Sequence, residues 1–283
     1  MNYLSIDVGT TGCKCQLFSQ NGEILKYLFN EYDFKEIDGL HYVDIHAIES
    51  HLRKMVFDIS SQFDVRSVCI SSLGESFVLL DDHDQILFYP MLYTDPRGAD
   101  EAQAVKEKIG VEKTFRITGT VPHSMYSLYK LLWIRNNAPE CYAKADKVLF
   151  VGDYIGYLLS GERVIDYALA SRTGVFDVSN MQFSGEILDA FDIKHELFST
   201  PKPSGSVVGK VKAEWGIDAT LILGAHDQVS TALGSGVLEE GDAVDGMGTV
   251  ECITTLFREK PENVEMGKQG YPCVPYPVEG FEV

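Results

Sequence analysis

The chain has 283 residues, and its 45% of hydrophobic and 23% of charged residues are ordinary globular values that exclude wholesale disorder. The formal net charge of −18 argues against a nucleic-acid-binding protein, which needs a basic surface. No apolar run approaches the roughly 20 residues that cross a bilayer, and the N-terminal residues lack the pattern of a signal peptide. We therefore predict a cytoplasmic protein of one large or two ordinary domains, with no nucleic-acid or membrane partner and with six reduced cysteines.

The first element is a predicted β-hairpin whose turn has the residues of a phosphate-binding loop. Aliphatic side chains at positions 4, 6 and 8 alternate with Tyr, Ser and Asp, which predicts a strand with Asp7 on the face opposite the aliphatic residues. Glycine without a Cβ, backbone N–H groups, hydroxyls and a cation can hold phosphate oxygens, and these are supplied by Gly9, Thr10, Thr11 and Lys14. Asp7 offers a hard oxygen ligand for Mg²⁺. The alternative is an ordinary hairpin turn in which glycine and threonine only satisfy the turn geometry.

The next elements predict the start of a ribonuclease-H-like α/β layer. Asn21-Gly22 is a hairpin signal, so a third antiparallel strand is expected over 23–29. Apolar residues at helical spacing predict a helix over 45–62 with Asp44 as its N-cap, followed by a buried strand over 66–72. Further helices are expected over 99–109, 126–137 and 153–160. This order favours an α/β fold with a mixed sheet flanked by helices.

A carboxylate that could accept a proton lies where a short buried strand is predicted to meet a helix. Residues 220–223, Thr-Leu-Ile-Leu, predict a short buried strand, and Gly224-Ala-His-Asp-Gln228 leads into a helix that ends near Gly234. Asp227 therefore lies at a helix start, where the helix dipole is expected to keep its carboxylate ionised and able to accept a proton. The alternative is that Asp227 only caps the helix.

An internal repeat predicts a second copy of the fold. Residues 243–249, Ala-Val-Asp-Gly-Met-Gly-Thr, resemble residues 5–11, Ser-Ile-Asp-Val-Gly-Thr-Thr, and a strand–turn–strand unit is expected over 242–257. This pattern predicts a first domain over 1–240 and the start of a second domain over 241–283. About forty residues cannot complete an α/β domain, so we expect the second copy to be truncated.

Three motifs, in this order along the chain, resemble the FGGY carbohydrate kinase family of the actin, Hsp70 and sugar-kinase superfamily. They are Asp7 to Lys14, Gly224 to Gln228 and Gly246 to Thr249, and the segments 129–133, 153–161 and 166–176 between them are also similar to family segments. The resemblance implies an actin-like ATPase fold and transfer of phosphate from ATP, with Mg²⁺, to a terminal hydroxyl of a small sugar. It also implies that Asp227 is the catalytic base and that Gly248 and Thr249 belong to a second phosphate loop.

The resemblance further implies a set of residues that bind the sugar: Glu75, Asp95, Met125, His226 and Asp227. Three of them have ordinary alternatives. Glu75 follows a buried strand but could simply face solvent. Asp95 could form a surface ion pair with Arg97, and His226 could be a hydrogen-bonded loop residue without sugar contact.

Departures from the family pattern bear on the substrate. Glycerol kinases carry an arginine before the glutamate at position 75, and its guanidinium offers several donors in one plane. This chain has Gly74 there, which lacks those donors and is expected to open space for a longer sugar. Xylulokinases have Gln-Met-His where this chain has Leu73-Gly-Glu75, and His226 is similar to the branch that acts on deoxy-ketoses. We therefore predict a ketose or deoxy-ketose as substrate, and we leave open a polyol as substrate and a homodimer as assembly. The alternatives are a truncated, non-catalytic chain that binds sugar without an adenosine site and, less well matched, an actin- or Hsp70-like ATPase.

Overall fold

The computed structural model describes residues 1–247, 251–260, 263–278 and 280, so the predicted site residues Gly248 and Thr249 lie outside the described residues. The strands are β1 (Asn2–Val8), β2 (Gly12–Ser19), β3 (Ile24–Glu31), β4 (Lys35–Ile37), β5 (Leu40–Tyr42), β6 (Ser67–Ser72), β7 (Phe77–Leu80), β8 (Ile86–Phe88), β9 (Lys147–Phe150), β10 (Val164–Asp166), β11 (Phe176–Asp177), β12 (Gln182–Phe183), β13 (Thr200–Lys202), β14 (Val207–Lys210), β15 (Thr220–His226), β16 (Ala243–Met247) and β17 (Glu251–Thr255). The α-helices are α1 (Ile45–Ser60), α2 (Ala99–Lys108), α3 (Val111–Thr118), α4 (Ser127–Asn137), α5 (Pro139–Lys144), α6 (Val151–Ser160), α7 (Tyr167–Ser171), α8 (Gly185–Ala190), α9 (Asp227–Gly234) and α10 (Val264–Lys268). Short 3₁₀ turns lie at His195–Leu197 and Ala213–Trp215.

A six-stranded mixed sheet in the order β14-β15-β6-β1-β2-β3 forms the centre of the fold. The strands β1, β2 and β3 form an antiparallel meander, whereas β6 pairs parallel to both β1 and β15. Because the three parallel strands point the same way, the carboxyl ends of β1, β6 and β15 meet at one edge of the sheet. The meander, the crossover helix α1 and the following strand β6 confirm the predicted ribonuclease-H-like α/β fold.

Helix α1 covers this sheet through the apolar stripe that the sequence predicts. Its buried residues are Ile45, Ile48, Leu52, Met55, Val56 and Ile59, which recur every three or four positions and so share one helix face. Asp44 caps the helix, since its Oδ1 accepts the backbone N–H groups of His46 and Ala47 at 3.1 and 3.0 Å. These side chains form one core with the aliphatic residues of β1 and the buried residues of α6.

A second core surrounds the three-stranded sheet β8-β7-β9, which is not predicted from the sequence. Every residue of β7 and β9 is buried, so neither strand shows the alternation by which a half-buried strand is recognised. Helix α4 ends at Asn137, as predicted, and begins one residue after the predicted start. Helices α4 and α7 contribute to this core, and Tyr126, just before α4, belongs to it. Arg172, just after α7, lies over the Tyr126 ring near the edge of the central sheet.

The segment after residue 240 begins with the predicted hairpin, in which β16 and β17 pair antiparallel. Leu256, Val274 and Tyr276 of this segment pack with Val229 and Ala232 of α9 in a third core. The segment is therefore fixed against the helix that begins at Asp227. The domain boundary near residue 240 stays a prediction.

The six cysteines are thiols that form no disulfide among the described residues, as the sequence predicts. Within the described ranges, no helix combines the length and the apolar character that crossing a membrane requires.

Candidate active site at the edge of the central sheet

The carboxyl ends of the three parallel strands bring three predicted site regions together. The turn 9–11 follows β1, the loop 73–76 follows β6, and helix α9 follows β15. In the sheet register, Val8 of β1 lies beside Ser72 of β6, and Ser72 lies beside His226 of β15. Residues that are far apart in sequence thus share one sheet edge, the usual place for ligands in α/β sheets.

The turn after β1 offers fewer phosphate donors than its sequence suggests. The Gly9 N–H donates to the Gly12 carbonyl at 3.0 Å, and the Tyr32 hydroxyl donates to the Gly9 carbonyl, so both backbone groups of Gly9 are occupied. The Gly9 N–H is therefore not available as a phosphate donor, whereas the close approach of a ligand at Gly9 stays a prediction. Among the described residues, no acceptor takes the backbone N–H of Thr10 or Thr11, and these two donors remain for a ligand. A Cβ on Gly9 would meet only the Gly12 carbonyl, at 3.5 Å, so a ligand could approach closely there.

Asp7 and Lys14 face each other across the β1–β2 pair. Their side chains form an ion pair with Nζ and Oδ2 3.1 Å apart, and they are 33% and 44% exposed. Both side chains can therefore be reached from solvent, and the predicted roles at metal and phosphate require them to separate. Within the described residues, no group of three or more His, Cys, Asp or Glu side chains could hold a metal ion. A single carboxylate nevertheless fits Mg²⁺, which usually keeps several waters and binds one or two carboxylates plus phosphates.

A bulge at the end of β15 sets the position of His226 and Asp227. The register with β6 shifts between Leu223 and His226, and a Cβ on Gly224 would lie 1.9 Å from the Ile70 carbonyl oxygen. Glycine at 224 is thus required by the close approach of the two backbones. The strand continues three residues past the predicted end at Leu223, and the bulge redirects its last residues toward the site.

Asp227 is the first residue of α9 and has one engaged carboxylate oxygen. Its Oδ1 accepts the Gln228 N–H at 2.7 Å and lies 3.1 Å from Nε2 of His226. The N-cap position belongs to His226, so the alternative that Asp227 merely caps the helix is wrong.

The pKa of Asp227 is raised to about 7, chiefly by burial, and the negative charges of Asp7 and Glu75 act in the same direction. The Gln228 N–H and the Arg172 cation oppose this rise without cancelling it. The expectation that the helix dipole keeps this carboxylate ionised therefore fails below about pH 7, because desolvation outweighs the dipole there.

Glu75 is buried and paired with Arg172, a residue that the sequence did not predict for the site. The guanidinium donates from Nε to Oε1 of Glu75 at 2.6 Å, its Nη2 also contacts Oε1, and it lies over the ring of Tyr126. Glu75 is 6% exposed, so the solvent-facing alternative is wrong. Its backbone has a φ of 58°, an unusual conformation outside glycine, and the Ser127 hydroxyl donates to its carbonyl at 2.6 Å.

The space beside Gly74 is filled, which contradicts the expectation that this glycine opens the pocket. A Cβ at Gly74 would lie 2.9 Å from Nε2 of His226 and 3.2 Å from Cγ of Arg172. The guanidinium fork that seemed missing before Glu75 is supplied by Arg172 instead. Position 172 lies in the segment 166–176, which resembles a family segment, but the neighbouring residues in the sequence do not indicate where the Arg172 side chain points.

Asp95 is held in a buried ion pair. Arg97 donates to both carboxylate oxygens, from Nε to Oδ1 at 2.9 Å and from Nη2 to Oδ2 at 2.5 Å, and packs over Tyr42 and Trp133. The Asp95 side chain is only 9% exposed. The ion-pair alternative is thus present, although it is buried instead of on the surface. A contact between Asp95 and sugar stays a prediction.

A cleft of ≈ 540 Å³ lies between this sheet edge and the segment after residue 250, a size that suits a small-molecule ligand. One side is lined by Met125, Tyr126, Arg172, His226 and Gln228. The other side is lined by β17 and by residues 266 and 269–274, with Ile253, Phe257 and Met266 among its apolar groups. Two predicted sugar residues, Met125 and His226, therefore line one cleft together with Arg172.

Comparison with known proteins gives a consistent family match. The family model "FGGY family of carbohydrate kinases, N-terminal domain" matches residues 2–234. The chain is 29% identical over 283 residues to a gluconokinase of Bacillus subtilis (strain 168), in an alignment that covers 94% of this chain and 53% of the relative. It is 28% identical over 265 residues to a xylulose kinase of Lactococcus lactis subsp. lactis, with coverages of 89% and 52%. The chain thus spans about half the length of the curated relatives it matches.

A solved structure shows the same fold. The ligand-bound xylulose kinase from Lactobacillus acidophilus matches with a TM-score of 0.90 at 25% identity, covering 99% of this chain and 58% of that one. The central mixed sheet with flanking helices is therefore shared over nearly the whole chain.

Proposed function

Because the chain belongs to the FGGY family of carbohydrate kinases, we propose that it carries the sugar site and the catalytic base of an ATP-dependent sugar kinase. The position of Asp227 carries this proposal. Its Oδ1 is engaged by Gln228, whereas no donor among the described residues reaches Oδ2, so Oδ2 is the oxygen that can take a proton. Burial raises the pKa of Asp227 to about 7. A general base is most effective when its pKa lies near the pH at which the enzyme works, which suits Asp227 to neutral pH.

In the proposed reaction the terminal hydroxyl of the sugar donates a hydrogen bond to Oδ2 of Asp227. The carboxylate orients the hydroxyl oxygen and takes its proton as the bond to phosphorus forms; orientation is the larger effect because the transition state is loose. When bound, ATP with Mg²⁺ supplies the phosphoryl group. Thr10, Thr11 and Lys14 would hold phosphate oxygens, and Asp7 would hold the metal. Gly9, Gly248 and Thr249 stay predictions as nucleotide-binding residues.

Glu75 is proposed to bind the hydroxyls of the sugar. Arg172 engages its Oε1, while Oε2 accepts no hydrogen bond from the part of the chain that the structure describes. A fixed carboxylate with one free oxygen can accept hydrogen bonds from one or two sugar hydroxyls. The ion pair thus orients Glu75 and leaves it able to bind a ligand.

We propose that the sugar is a neutral ketose or deoxy-ketose. The carboxylates of Asp7, Glu75 and Asp227 influence one another electrostatically, and the Arg172 charge is already shared with Glu75. An anionic sugar acid would meet like charges there, at an energetic cost that a neutral sugar avoids. Gluconate is the second candidate, because two matched relatives are gluconokinases.

Sugar-dependent release of ADP by the full-length protein, which carries this chain with the further length that its relatives have, tests the function, with Asp227→Asn as the decisive variant. We expect kcat to fall by a factor of about 10² or more while the sugar Kd, measured by calorimetry, changes little. A variant that keeps a near-normal kcat would remove Asp227 from the mechanism. Sugar binding without any ADP release would favour the alternative, a chain that binds sugar but lacks an adenosine site.

The same assay over xylulose, ribulose, rhamnulose, fuculose, gluconate and glycerol tests the substrate class. The highest kcat/KM is expected for a ketose or deoxy-ketose. A highest value for gluconate would show that the carboxylate argument is wrong, and one for glycerol would show that a short triol fits the cleft. The homodimer is a separate prediction that sedimentation velocity can check.

A further inference from the structure

We infer that Tyr32 is a positioning residue for the phosphate turn 9–12, which it holds from the end of the neighbouring strand β3. Its hydroxyl and its backbone N–H donate to two carbonyl groups of the turn, and these bonds fix the conformation in which the N–H groups of Thr10 and Thr11 stay free. The part that Tyr32 plays in binding ATP rests on the proposed function, whereas its hold on the turn does not.

Three hydrogen bonds fix the backbone of the turn. The Gly9 N–H donates to the Gly12 carbonyl at 3.0 Å, which closes the turn on itself. The Tyr32 N–H donates to the Thr11 carbonyl at 3.2 Å, and the Tyr32 hydroxyl donates to the Gly9 carbonyl. Tyr32 lies just after β3, 23 positions from Gly9, so a separate strand supplies two of the three bonds.

The bond to the Gly9 carbonyl determines where the next N–H group points. The peptide between Gly9 and Thr10 is trans, and in a planar trans peptide the C=O of one residue and the N–H of the next point in opposite directions. Because the Gly9 carbonyl faces the Tyr32 hydroxyl, the Thr10 N–H faces away from Tyr32, and no acceptor among the described residues takes it. Occupation of Gly9 thus removes one phosphate donor and fixes the direction of the next.

The Tyr32 hydroxyl is a permanent donor. The side chain is partly buried against the main core. Burial, with Cys13 and Asp7 acting in the same direction, raises the pKa of the Tyr32 phenol above its usual range, so the group keeps its hydrogen. The bond to the Gly9 carbonyl therefore persists throughout neutral pH.

Gly12 allows β3 to approach the turn this closely. A Cβ at position 12 would lie 2.5 Å from Cε2 of Phe29 and 2.9 Å from the Asn30 carbonyl oxygen. Gly12 does not have a positive φ, so alanine could adopt its backbone conformation and the obstacle is steric. The Phe29 ring could rotate away, but the Asn30 backbone moves only with β3 itself. A side chain at position 12 would therefore push the end of β3, and Tyr32 with it, away from the turn.

A turn that is fixed in advance binds phosphate more tightly than a turn that becomes ordered on binding. Ordering a flexible loop costs conformational entropy, and donors that are already fixed avoid that cost. Loss of the Tyr32 hydroxyl should therefore weaken the binding of ATP and leave the binding of sugar, which is proposed to contact Glu75 and Asp227, unchanged. This difference separates a positioning role from a general role in stability.

The test is Tyr32→Phe in the full-length protein, which keeps the ring and removes only the hydroxyl. We expect the KM for ATP, and the Kd for ATP measured by calorimetry, to rise about three- to tenfold, as the loss of one hydrogen bond implies, while the KM for the sugar stays unchanged. Hydrogen exchange in peptides that span residues 9–12, measured by mass spectrometry, should become faster by a similar factor. Tyr27→Phe is the matched control, because Tyr27 lies on β3 and is 52% exposed, and it should change none of these quantities.

Gly12→Ala supplies an independent variant. It should also raise the KM for ATP and speed hydrogen exchange in the turn. In combination with Tyr32→Phe it should add less than its separate effect, because both changes break the same contact between β3 and the turn. An unchanged KM for ATP in Tyr32→Phe, equal rises of the KM for ATP and for sugar, or fully additive effects in the double variant would overturn the inference.

Hydrogen exchange needs no substrate, so it distinguishes this inference from the proposed kinase activity. Faster exchange in Tyr32→Phe of a protein that releases no ADP would leave the hold of Tyr32 on the turn standing and contradict the proposed function. Faster exchange with an unchanged Kd for ATP would deny Tyr32 its role in phosphate binding. Unchanged exchange in an active enzyme would overturn the inference and leave the proposed function intact.

Discussion

Arg172 sets the charge balance among the buried side chains of the site. Its pKa stays raised because Glu75, Tyr126 and Asp227 stabilise the cation against burial. Glu75 and Arg172 depend on each other, since the two residues are only 6% and 8% exposed and have little access to water. One guanidinium therefore holds the proposed sugar ligand in place and moderates the pKa of the proposed base.

Arg172→Gln is expected to lower the free energy of unfolding by about 3–5 kcal/mol, because it leaves Glu75 buried without a cation. Urea unfolding at pH 7 measures the loss. The matched control is Arg116→Gln, which removes an ion pair with Glu112 whose side chains are 65% and 67% exposed and should cost about 0.5 kcal/mol or less. Equal losses in the two variants would contradict the importance of the buried pair.

At the scale of elements, the bulge in β15 and the short helix α7 deliver the site residues. The β15 backbone passes close to the β6 backbone at Gly224, and the register shifts between Leu223 and His226. His226 and Asp227 therefore lie just beyond the bulge, at the end of the strand. Helix α7 is five residues long and delivers Arg172 from its carboxyl end. Asp166 starts this helix, since its Oδ1 accepts the Leu169 N–H at 2.9 Å.

Gly224→Ala should destabilise the fold by about 2–3 kcal/mol, because its Cβ would lie 1.9 Å from the Ile70 carbonyl oxygen and would separate β15 from β6. Gly156→Ala in α6 is the control, since its Cβ would have ordinary contacts at 3.8 Å or more. That variant should gain about 0.5–1 kcal/mol from helix propensity. Thermal unfolding compares the two, and a stable Gly224→Ala protein would mean that the bulge tolerates a side chain.

Asp166→Asn should make stability depend less on pH. Burial raises the pKa of Asp166 to about 7 in the folded chain, from an ordinary 3.8, so the folded state retains a proton that the unfolded state has lost between those values. The free energy of unfolding should therefore fall as pH rises from about 4 to 7. Asparagine caps the helix equally well but does not titrate.

Urea unfolding at pH 4.5 and 7.5 measures how much the free energy of unfolding falls between these two pH values. This fall should be smaller in Asp166→Asn than in the parent chain, by on the order of 1–3 kcal/mol. Some dependence of the unfolding free energy on pH should remain in Asp166→Asn. The pKa values of Asp153 and Asp227 are raised by burial as well, and they act with the same sign. An identical slope in the parent chain and the variant would show that Asp166 is ionised in the folded state.

At the scale of the whole molecule, the chain spans about half the length of its curated relatives, and its cleft lies at the edge of the central sheet. The cleft is walled by the sheet edge on one side and by the segment after residue 250 on the other. The described phosphate donors are few, since Gly9 uses its own N–H within the turn and Lys14 is paired with Asp7. Closing of a site excludes water and completes it in many kinases.

The 283-residue chain alone is expected to bind a ketose weakly and ATP hardly at all. The proposed sugar ligands Glu75 and Asp227 lie within the described residues, whereas the described phosphate donors are few and the chain spans about half the length of its curated relatives. Isothermal calorimetry with each ligand, and with Asp227→Asn as the matched variant for sugar, checks this expectation. A micromolar Kd for ATP would mean that the nucleotide site is built differently.

The sequence by itself determined the elements whose side-chain pattern is local. The alternation over β1, the stripe of α1 with its Asp44 cap, and the strand-to-helix junction before Asp227 were all predicted, because periodicity decides which face of an element is apolar. The fully buried β7 and β9 were missed because they have no such period. The family resemblance added Asp227 as the proposed base and Glu75 as a proposed sugar ligand.

Only the tertiary structure decided what surrounds those residues. Arg172 pairs with Glu75 from 97 positions away. The His226 ring fills the space beside Gly74, although His226 ends β15 and Gly74 follows β6. The raised pKa of Asp227 depends on burial and on charges from three other elements. Such properties depend on distances between residues remote in sequence, and these distances are fixed only when the parallel strands and the helices pack together.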